Sequence, residues 1–159
     1  MFKIKLLILL LLSFLFSCTN NQNIELSEKF HISYIDGGED GLYLSNILKY
    51  KLIAANLLDN NSNYKILATI EHQNNFYITN IDNTSDRNNI DSTLEIKIIK
   101  NKSECLAYSF DDNIQQFFLV SPSTKFLSNE MAEETIKKEN ANILLDVFIN
   151  ELRQTKLDC

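Results

Sequence analysis

The chain has 159 residues, with 21 acidic side chains against 15 basic ones, and its formal net charge is −6. One domain can bury a sizeable hydrophobic core at this length. The acidic excess argues against nucleic-acid binding, which draws on clustered lysine and arginine. Three cysteines and two histidines are present. Their spacing does not match that of a zinc site.

The N-terminus has the pattern of a secretory signal. Lys3 and Lys5 precede an apolar run from Leu6 to Phe16 that is interrupted only by Ser13. A basic segment followed by a short apolar segment is typical of a signal peptide. A membrane-spanning helix needs about 20 apolar residues, so this run is too short to span. We therefore expect residues 1–17 to be a signal peptide that is removed.

The end of this run, Leu15-Phe16-Ser17-Cys18, resembles a bacterial lipobox. The resemblance implies that the Cys18 sulfur carries a diacylglyceryl group and that its new amino group is acylated after cleavage. Each buried methylene contributes about 0.8 kcal/mol, so three acyl chains would form a lasting anchor. Thr19, rather than Asp, follows the cysteine, which favours the outer membrane. An ordinary cleaved secretory signal is the alternative.

The first part of the mature chain predicts a tether, a strand and a turn. Residues 18–29 are polar and predict a lipidated tether. The segment FHISYID alternates, with Phe30, Ile32 and Tyr34 on one face of a strand. The glycine-rich segment DGGEDG could suggest a cation loop, but its spacing differs from that of an EF-hand. We interpret it as a turn in which Asp40 caps the next helix.

The remaining pattern predicts two helices and three further strands. Apolar residues at helical spacing predict a helix from Leu42 to Leu58. The predicted strands begin at Tyr64, Ser92 and Cys105, and the first continues through a short run that ends at Ile81. A polar loop is predicted from Asp82 to Asn89, and the last strand extends toward Phe118. A final helix is predicted from Thr124 to Thr155. Its apolar stripe consists of Ile136, Ile143, Leu144, Val147, Phe148 and Leu152.

This order, β-α-β-β-β-α, predicts an α+β fold. Each helix has one apolar stripe, which must pack on the apolar face of a sheet. We expect a two-layer sandwich with two helices on one face of a four-stranded sheet. The single domain is expected to cover residues 30–155, and residues 156–159 form a short C-terminal tail.

If Cys18 is lipidated, two other cysteines remain. An oxidising compartment would allow Cys105 and Cys159 to form a bridge. Cys105 occupies a strand position and Cys159 ends the sequence, and we favour two free thiols over the bridge. His31 and His72 are isolated from other metal-binding side chains. We expect both to be strand-surface residues rather than metal ligands.

Three segments together resemble one family, the LPS-assembly lipoprotein LptE in its alphaproteobacterial form. The resemblance extends over about residues 30–153 and includes the lipidated N-terminus. It rests on the segment GLYLSNILKYKL, on the alternating strand that begins at Tyr64, and on the ending LLDVFINEL. The matching positions in the first two segments are Gly41, Leu44, Asn46, Leu48, Leu52, Tyr64, Ile66, Ala68 and Ile70.

The resemblance implies an interaction protein. Such a protein is anchored in the outer membrane, faces the periplasm, and occupies the lumen of the LptD β-barrel, which it plugs and helps to assemble. It also assists LPS delivery to the outer leaflet. Lys97, Lys100 and Lys102 form a local basic cluster at a predicted hairpin turn. They are candidate contacts for LPS phosphates, although a solvated hairpin tip is the simpler interpretation.

An enzyme and a different envelope lipoprotein are the two alternatives to an LptE-type protein. The sequence has no G-x-S-x-G turn, no H-E-x-x-H motif and no phosphate-binding glycine loop. These motifs carry nucleophilic, metal-dependent and phosphoryl chemistry, so we expect no enzyme, no metal site and no cofactor beyond the covalent lipid. The alternative is an auxiliary or pilotin-type lipoprotein of another envelope transport system, such as an ABC-type lipid transporter.

Overall fold

A computed structural model describes residues 28–78, 86–121 and 126–159. The predicted signal peptide, Cys18 and the tether up to residue 27 lie outside these ranges. The elements in chain order are β1 (Phe30–Asp36), α1 (Gly38–Ala54), β2 (Tyr64–Ile78), β3 (Asp86–Lys100), β4 (Cys105–Leu119) and α2 (Phe126–Leu152). The predicted α+β order is confirmed.

The four strands form one sheet in the order β1-β2-β3-β4. β1 is parallel to β2, while β3 and β4 each pair antiparallel with the preceding strand. A parallel pair needs a crossover, and α1 provides it. The antiparallel pairs extend the sheet to about 50 Å, since each of these strands has 15 residues at about 3.3 Å per residue.

A bulge in β1 changes which side chains face the core. The pairing with β2 skips Ser33, so Ile32 pairs with Ile66 and Tyr34 pairs with Leu67. An extra residue reverses the alternation that follows it. Tyr34 is therefore 58% exposed, and Ile35 packs against the core instead. The prediction that Tyr34 shares the face of Phe30 and Ile32 is wrong.

The glycine segment begins α1 without a side-chain cap. Gly37 has φ 120° and occupies the N-cap position, while Asp40 lies inside the first turn. The predicted cap by Asp40 is therefore wrong, and Asp36 Oδ1 instead accepts a hydrogen bond from the Gly37 N–H at 2.8 Å. A Cβ atom on Gly37 would lie 2.8 Å from the Ile70 carbonyl oxygen. Gly37 therefore lets the chain turn closely against β2.

The end of α1 comes earlier than the predicted Leu58. Asn56 has φ 57°, and the Leu57 N–H donates to the Leu52 carbonyl at 2.8 Å. This is the left-handed helix ending that asparagine adopts more readily than most residues. The following residues return the chain to β1, because the Phe30 N–H donates to the Leu57 carbonyl at 2.8 Å.

One polar boundary also differs from prediction. β3 begins at Asp86, so the last four residues of the predicted polar loop belong to a strand. The backbone pairs Asn75 with Asn89 and Phe76 with Asn88, and pairing of this kind leaves no apolar alternation to detect. The first part of that loop lies outside the described residues, as does the predicted helix start at Thr124.

The core lies between the helices and one face of the sheet. Ile143, predicted to face it, is 38% exposed, while its neighbour Leu145 is fully buried. Phe148 contacts the Phe110 ring edge-on at 5.5 Å between centroids. The most buried apolar side chains are Phe30, Leu44, Leu48, Leu52, Ile66, Ile70, Ile90, Leu94, Ile96, Ile98, Leu144, Leu145, Phe148 and Leu152.

The sheet has two unequal halves along its strands. β1 pairs with β2 only as far as Thr69, and α1 begins beside Ile70. We define the proximal half by β2 residues 64–70 and the distal half by β2 residues 71–78, each with its paired residues on β3 and β4. The proximal half has four strands and both helices. Among the described residues the distal half has three strands, which α2 covers and which α1 borders only through its first turns, residues 39–46.

Candidate partner-binding surfaces

The N-terminal segment enters the fold at the end of the proximal half. Phe30 is the first residue of β1, and it pairs with Tyr64 at the start of β2. The Asp59 N–H donates to the Phe30 carbonyl at 2.9 Å, which fixes this entry point. Any anchor at Cys18, which lies outside the described residues, is therefore connected to the proximal end.

A disulfide closes the same end. Cys105 and Cys159 are bonded, with their Cα atoms 6.5 Å apart and 54 residues between them in sequence. The prediction of two free thiols is wrong. The separation along the chain hides this proximity, which arises because the C-terminal residues return along β4. The Asp158 N–H donates to the Ala107 carbonyl at 3.3 Å, beside a bulge in β4.

The three candidate lysines do not form one patch. Lys97 projects from the sheet face opposite the helices, which we term the open face, and its Nζ lies 2.5 Å from Glu95 Oε1. Lys100 lies on the helix side, where its Nζ donates to the Cys159 carbonyl at 2.8 Å. Lys102 is exposed in the β3–β4 turn. Strand alternation places Lys97 and Lys100 on opposite faces, so the three side chains do not converge on one ligand.

The open face carries an apolar group in the distal half. Tyr77, Phe117 and Leu119 are 47%, 55% and 65% exposed. The Arg87 guanidinium carbon lies 4.8 Å from the centre of the Phe117 ring, close enough for a cation–π contact. Asp91 lies nearer the middle of the sheet and accepts hydrogen bonds from Asn75 and Gln115. This face therefore combines a polar centre with an aromatic end.

A groove lies on the opposite, helix-bearing face of the distal half. It has a volume of about 860 Å³ and is open because α1 does not extend over Phe76, which is 56% exposed. Five carboxylates and two lysines belong to its lining. The lining residues are Glu39, Asp40, Leu42, Tyr43, Asn46, Phe76, Asn88, Phe118, Val120, Asn129, Glu130, Glu133, Glu134, Lys137 and Lys138.

Both lysines of the groove are already paired. Lys137 Nζ lies 2.7 Å from Glu133 Oε1, and Lys138 forms an ion pair with Glu134. Burial opposes ionisation of Glu133, but hydrogen bonds from Lys137 and Asn74 outweigh this and lower the pKa of its carboxyl group. Glu133 is therefore charged at neutral pH, and the five carboxylates of the groove lining outnumber its two lysines.

A buried polar chain joins α2 to the sheet beside this groove. Asn140 Nδ2 donates to Ser92 Oγ at 2.8 Å, and Ser92 Oγ lies 2.7 Å from His72 Nδ1. Ser92 donates to His72 when Nδ1 carries no proton and accepts from it when Nδ1 is protonated, so the contact is compatible with either state. Burial lowers the pKa of His72, against the opposing charge of Asp40. His72 is half-buried on β2, whereas a strand-surface position was expected.

Two kinds of feature are missing from the part of the chain that the structure describes. Within residues 28–78, 86–121 and 126–159, no three His, Cys, Asp or Glu side chains are grouped as metal ligands. Within the same ranges, no helix combines the length and apolar character needed to cross a bilayer.

The fold is similar to that of solved bacterial lipoproteins. Rare lipoprotein B from Shewanella oneidensis matches with a TM-score of 0.63 at 13% identity, over 79% of this chain and 94% of that one. A minor lipoprotein from Acinetobacter baumannii matches with a TM-score of 0.61 at 13% identity, over 83% and 95% of the two chains. No protein-family model and no curated protein matches the sequence. The chain therefore shares the fold of these lipoproteins.

Proposed function

We propose that this protein is an outer-membrane lipoprotein of the LptE type that occupies and helps to assemble an LptD-type β-barrel and assists LPS delivery. The observation that carries the proposal is the fold match, which extends over 94% and 95% of two lipoprotein chains. The lipobox-like segment that ends at Cys18 and the resemblance of the first helix to the LptE family support it independently.

The shape of the molecule suits this role. A tether that enters at the proximal end would place the lipid anchor at one end of a sheet about 50 Å long. The distal half would then extend away from the anchor, toward the partner. The lumen of an outer-membrane barrel is polar, and the centre of the open face is polar as well, around Asp91.

The structure reduces the number of lysines that are available for the proposed LPS contact. Lys97 is paired with Glu95, and Lys100 binds the Cys159 carbonyl. Lys102 is exposed in the turn at the proximal end and has no ion-pair partner among the described residues. We therefore propose Lys102 as the primary contact for LPS phosphates, without a shared site for all three lysines.

Purification from detergent extracts of the native envelope tests the barrel partnership. We expect a large outer-membrane barrel to copurify in a stoichiometric complex. Copurification of an inner-membrane transporter instead would contradict this proposal and support an auxiliary lipoprotein of another envelope system.

The variant Cys18→Ala tests the anchor. Without the thiol there is no site for the lipid, so we expect the protein to leave the outer-membrane fraction and the amount of assembled barrel to fall. A double variant, Cys105→Ala with Cys159→Ala, is the matched control because it removes the other two cysteines, and with them the disulfide, and keeps the lipobox. Outer-membrane fractionation of Cys18→Ala equal to that of the control would contradict the lipid anchor.

A further inference from the structure

Within residues 28–78, 86–121 and 126–159, no strand pairs with one edge of β2 in the distal half. β1 pairs with β2 from Tyr64 to Thr69 and then ends, whereas β2 continues to Ile78. On its other side β2 remains paired with β3 along its whole length. Among the described residues, no strand lies against the remaining edge from Glu71 to Ile78. An unpaired edge presents backbone donors and acceptors that can pair with an added strand.

The acidic groove lies next to this edge. Phe76 belongs to the free part of β2 and also forms part of the groove floor. Its ring is 56% exposed, and Leu42 on α1 is 66% exposed at the groove wall. An extended segment on the β2 edge would therefore place alternate side chains over an apolar floor. The groove and the edge form one continuous surface.

The charges at the groove select the chemistry of its occupant. Lys137 and Lys138 are paired with Glu133 and Glu134. The other lining carboxylates, Glu39, Asp40 and Glu130, have no ion-pair partner among the described residues. Carboxylates without a paired cation attract lysine and arginine and repel phosphate. The groove therefore disfavours an anionic lipid and favours a basic polypeptide.

We propose that the distal groove binds a basic, extended segment of a partner protein, which adds as a strand to the free edge of β2 in line with β1. The free edge has about eight residues, so the segment has a similar length. The alternate side chains on its groove side are of both kinds: apolar ones cover Phe76 and Leu42, and lysine or arginine ones contact Glu39, Asp40 and Glu130. This inference does not depend on the barrel partnership, because the groove can bind such a segment from any envelope protein.

A synthetic peptide tests the proposal directly. The probe is an eight-residue peptide with lysine, valine, phenylalanine and lysine at the four alternate positions of one face and threonine at the four positions between them. Two control peptides have glutamate in place of lysine or N-methylated amides at alternate residues. Fluorescence anisotropy with the full chain in detergent measures binding, and hydrogen exchange of residues 71–78 locates it. We expect only the lysine peptide with free amides to bind and to protect these amides. No binding of that peptide, or equal binding of the N-methylated one, would overturn strand addition.

Paired variants then test the groove. We expect Glu39→Lys with Glu130→Lys to weaken binding about tenfold, because two attractive contacts become repulsive. Asp111→Lys is the charge control because it changes an exposed carboxylate on the open face. Phe76→Ser and Phe117→Ser change phenylalanines of nearly equal exposure, 56% and 55%, on opposite faces.

The proposal predicts weaker binding for Phe76→Ser and unchanged binding for Phe117→Ser. Equal losses in the two variants, or equal losses in the groove charge reversal and Asp111→Lys, would overturn the groove as the binding surface. Retained peptide binding by a chain that does not copurify with a barrel would contradict the proposed function alone, so the two proposals fail separately.

Discussion

The two halves of the sheet share the strands β2, β3 and β4 but differ in what covers these strands. In the proximal half β2 presents Ile66, Ala68 and Ile70 to the helices, and all three are buried. In the distal half the same face presents His72, Asn74 and Phe76, and the last is 56% exposed. The change occurs where β1 ends and α1 begins. The residues of β2 that face the helices therefore change from apolar to polar near the point where α1 begins.

We infer that the proximal half supplies most of the stability of the domain, whereas the distal half presents the surfaces proposed for recognition. The proximal half contains most of the buried apolar side chains, both helices and the disulfide. The distal half contains the free edge of β2, the acidic groove and the exposed aromatic group of the open face. Surfaces that remain exposed in the isolated chain contribute less to its stability than buried ones. The following variants test this division, beginning with the largest expected effect.

Phe148→Ala should give the largest loss of stability. Phe148 is fully buried and contacts Phe110, and truncation of such a ring costs about 3–5 kcal/mol in the free energy of unfolding. Phe117→Ala, on the distal open face, should change it by less than about 1 kcal/mol, because its ring is largely exposed. Urea unfolding of both variants measures the difference. Similar losses would contradict the division between the halves.

Removal of the disulfide should have the next largest effect. Cys105→Ser with Cys159→Ser opens a ring of more than 50 residues and should lower the free energy of unfolding by about 2–4 kcal/mol. Hydrogen exchange should increase first at the proximal end, near Ala107. The control is a reducing agent, which should destabilise the natural chain and leave the double variant unchanged. Sensitivity of the double variant to the reducing agent would rule out the bridge as the cause.

Gly37→Ala, at the junction between the halves, should lower the free energy of unfolding by about 2 kcal/mol. The residue has φ 120°, and an added Cβ would lie 2.8 Å from the Ile70 carbonyl oxygen. Gly38→Ala is the matched control. It also has a positive φ, 60°, but its Cβ would meet no atom within 4 Å, so we expect a loss of about 1 kcal/mol. Thermal unfolding compares the two variants, and a larger loss at Gly38 would contradict the close contact with β2.

The smallest expected effect is a pH dependence at His72. Its pKa in the folded state lies below the ordinary value of 6.5, chiefly because of burial. The unfolded chain therefore binds a proton more readily as the pH falls through 6.5, and the folded state loses stability down to the lower folded pKa. The contribution is present in full above pH 6.5. Urea unfolding between pH 5 and pH 8 should show a flatter profile for His72→Gln. An unchanged profile would exclude His72 as the titrating group.

The order of elements could be predicted because alternation and helical spacing are local signals. Ile66, Ala68 and Ile70 show a period of two, and Leu44, Leu48 and Leu52 show the helical period. The prediction for Tyr34 is wrong because a bulge depends on the pairing with Leu67. Local patterns thus predict elements well and register poorly.

The surfaces were harder to predict because they depend on contacts between distant residues. The grouping of Lys97 with Lys100 followed from their closeness in sequence, yet strand alternation separates them. The bond between Cys105 and Cys159 joins segments 54 residues apart. The groove depends on where α1 begins relative to Phe76. The sequence contains one local sign of where the cover by α1 ends. On the helix-facing side of β2, the apolar Ile70 is followed by the polar residues His72 and Asn74.

The parallel pairing of β1 has a consequence for biogenesis. β2, β3 and β4 form successive antiparallel hairpins, and such local contacts form quickly. β1 and α1 are synthesised earlier, before the strands on which they pack. The apolar side chains of Phe30, Leu44 and Leu48 would thus remain exposed until the hairpins fold. A chaperone that binds this early segment would protect the chain during the interval when it is most prone to aggregate.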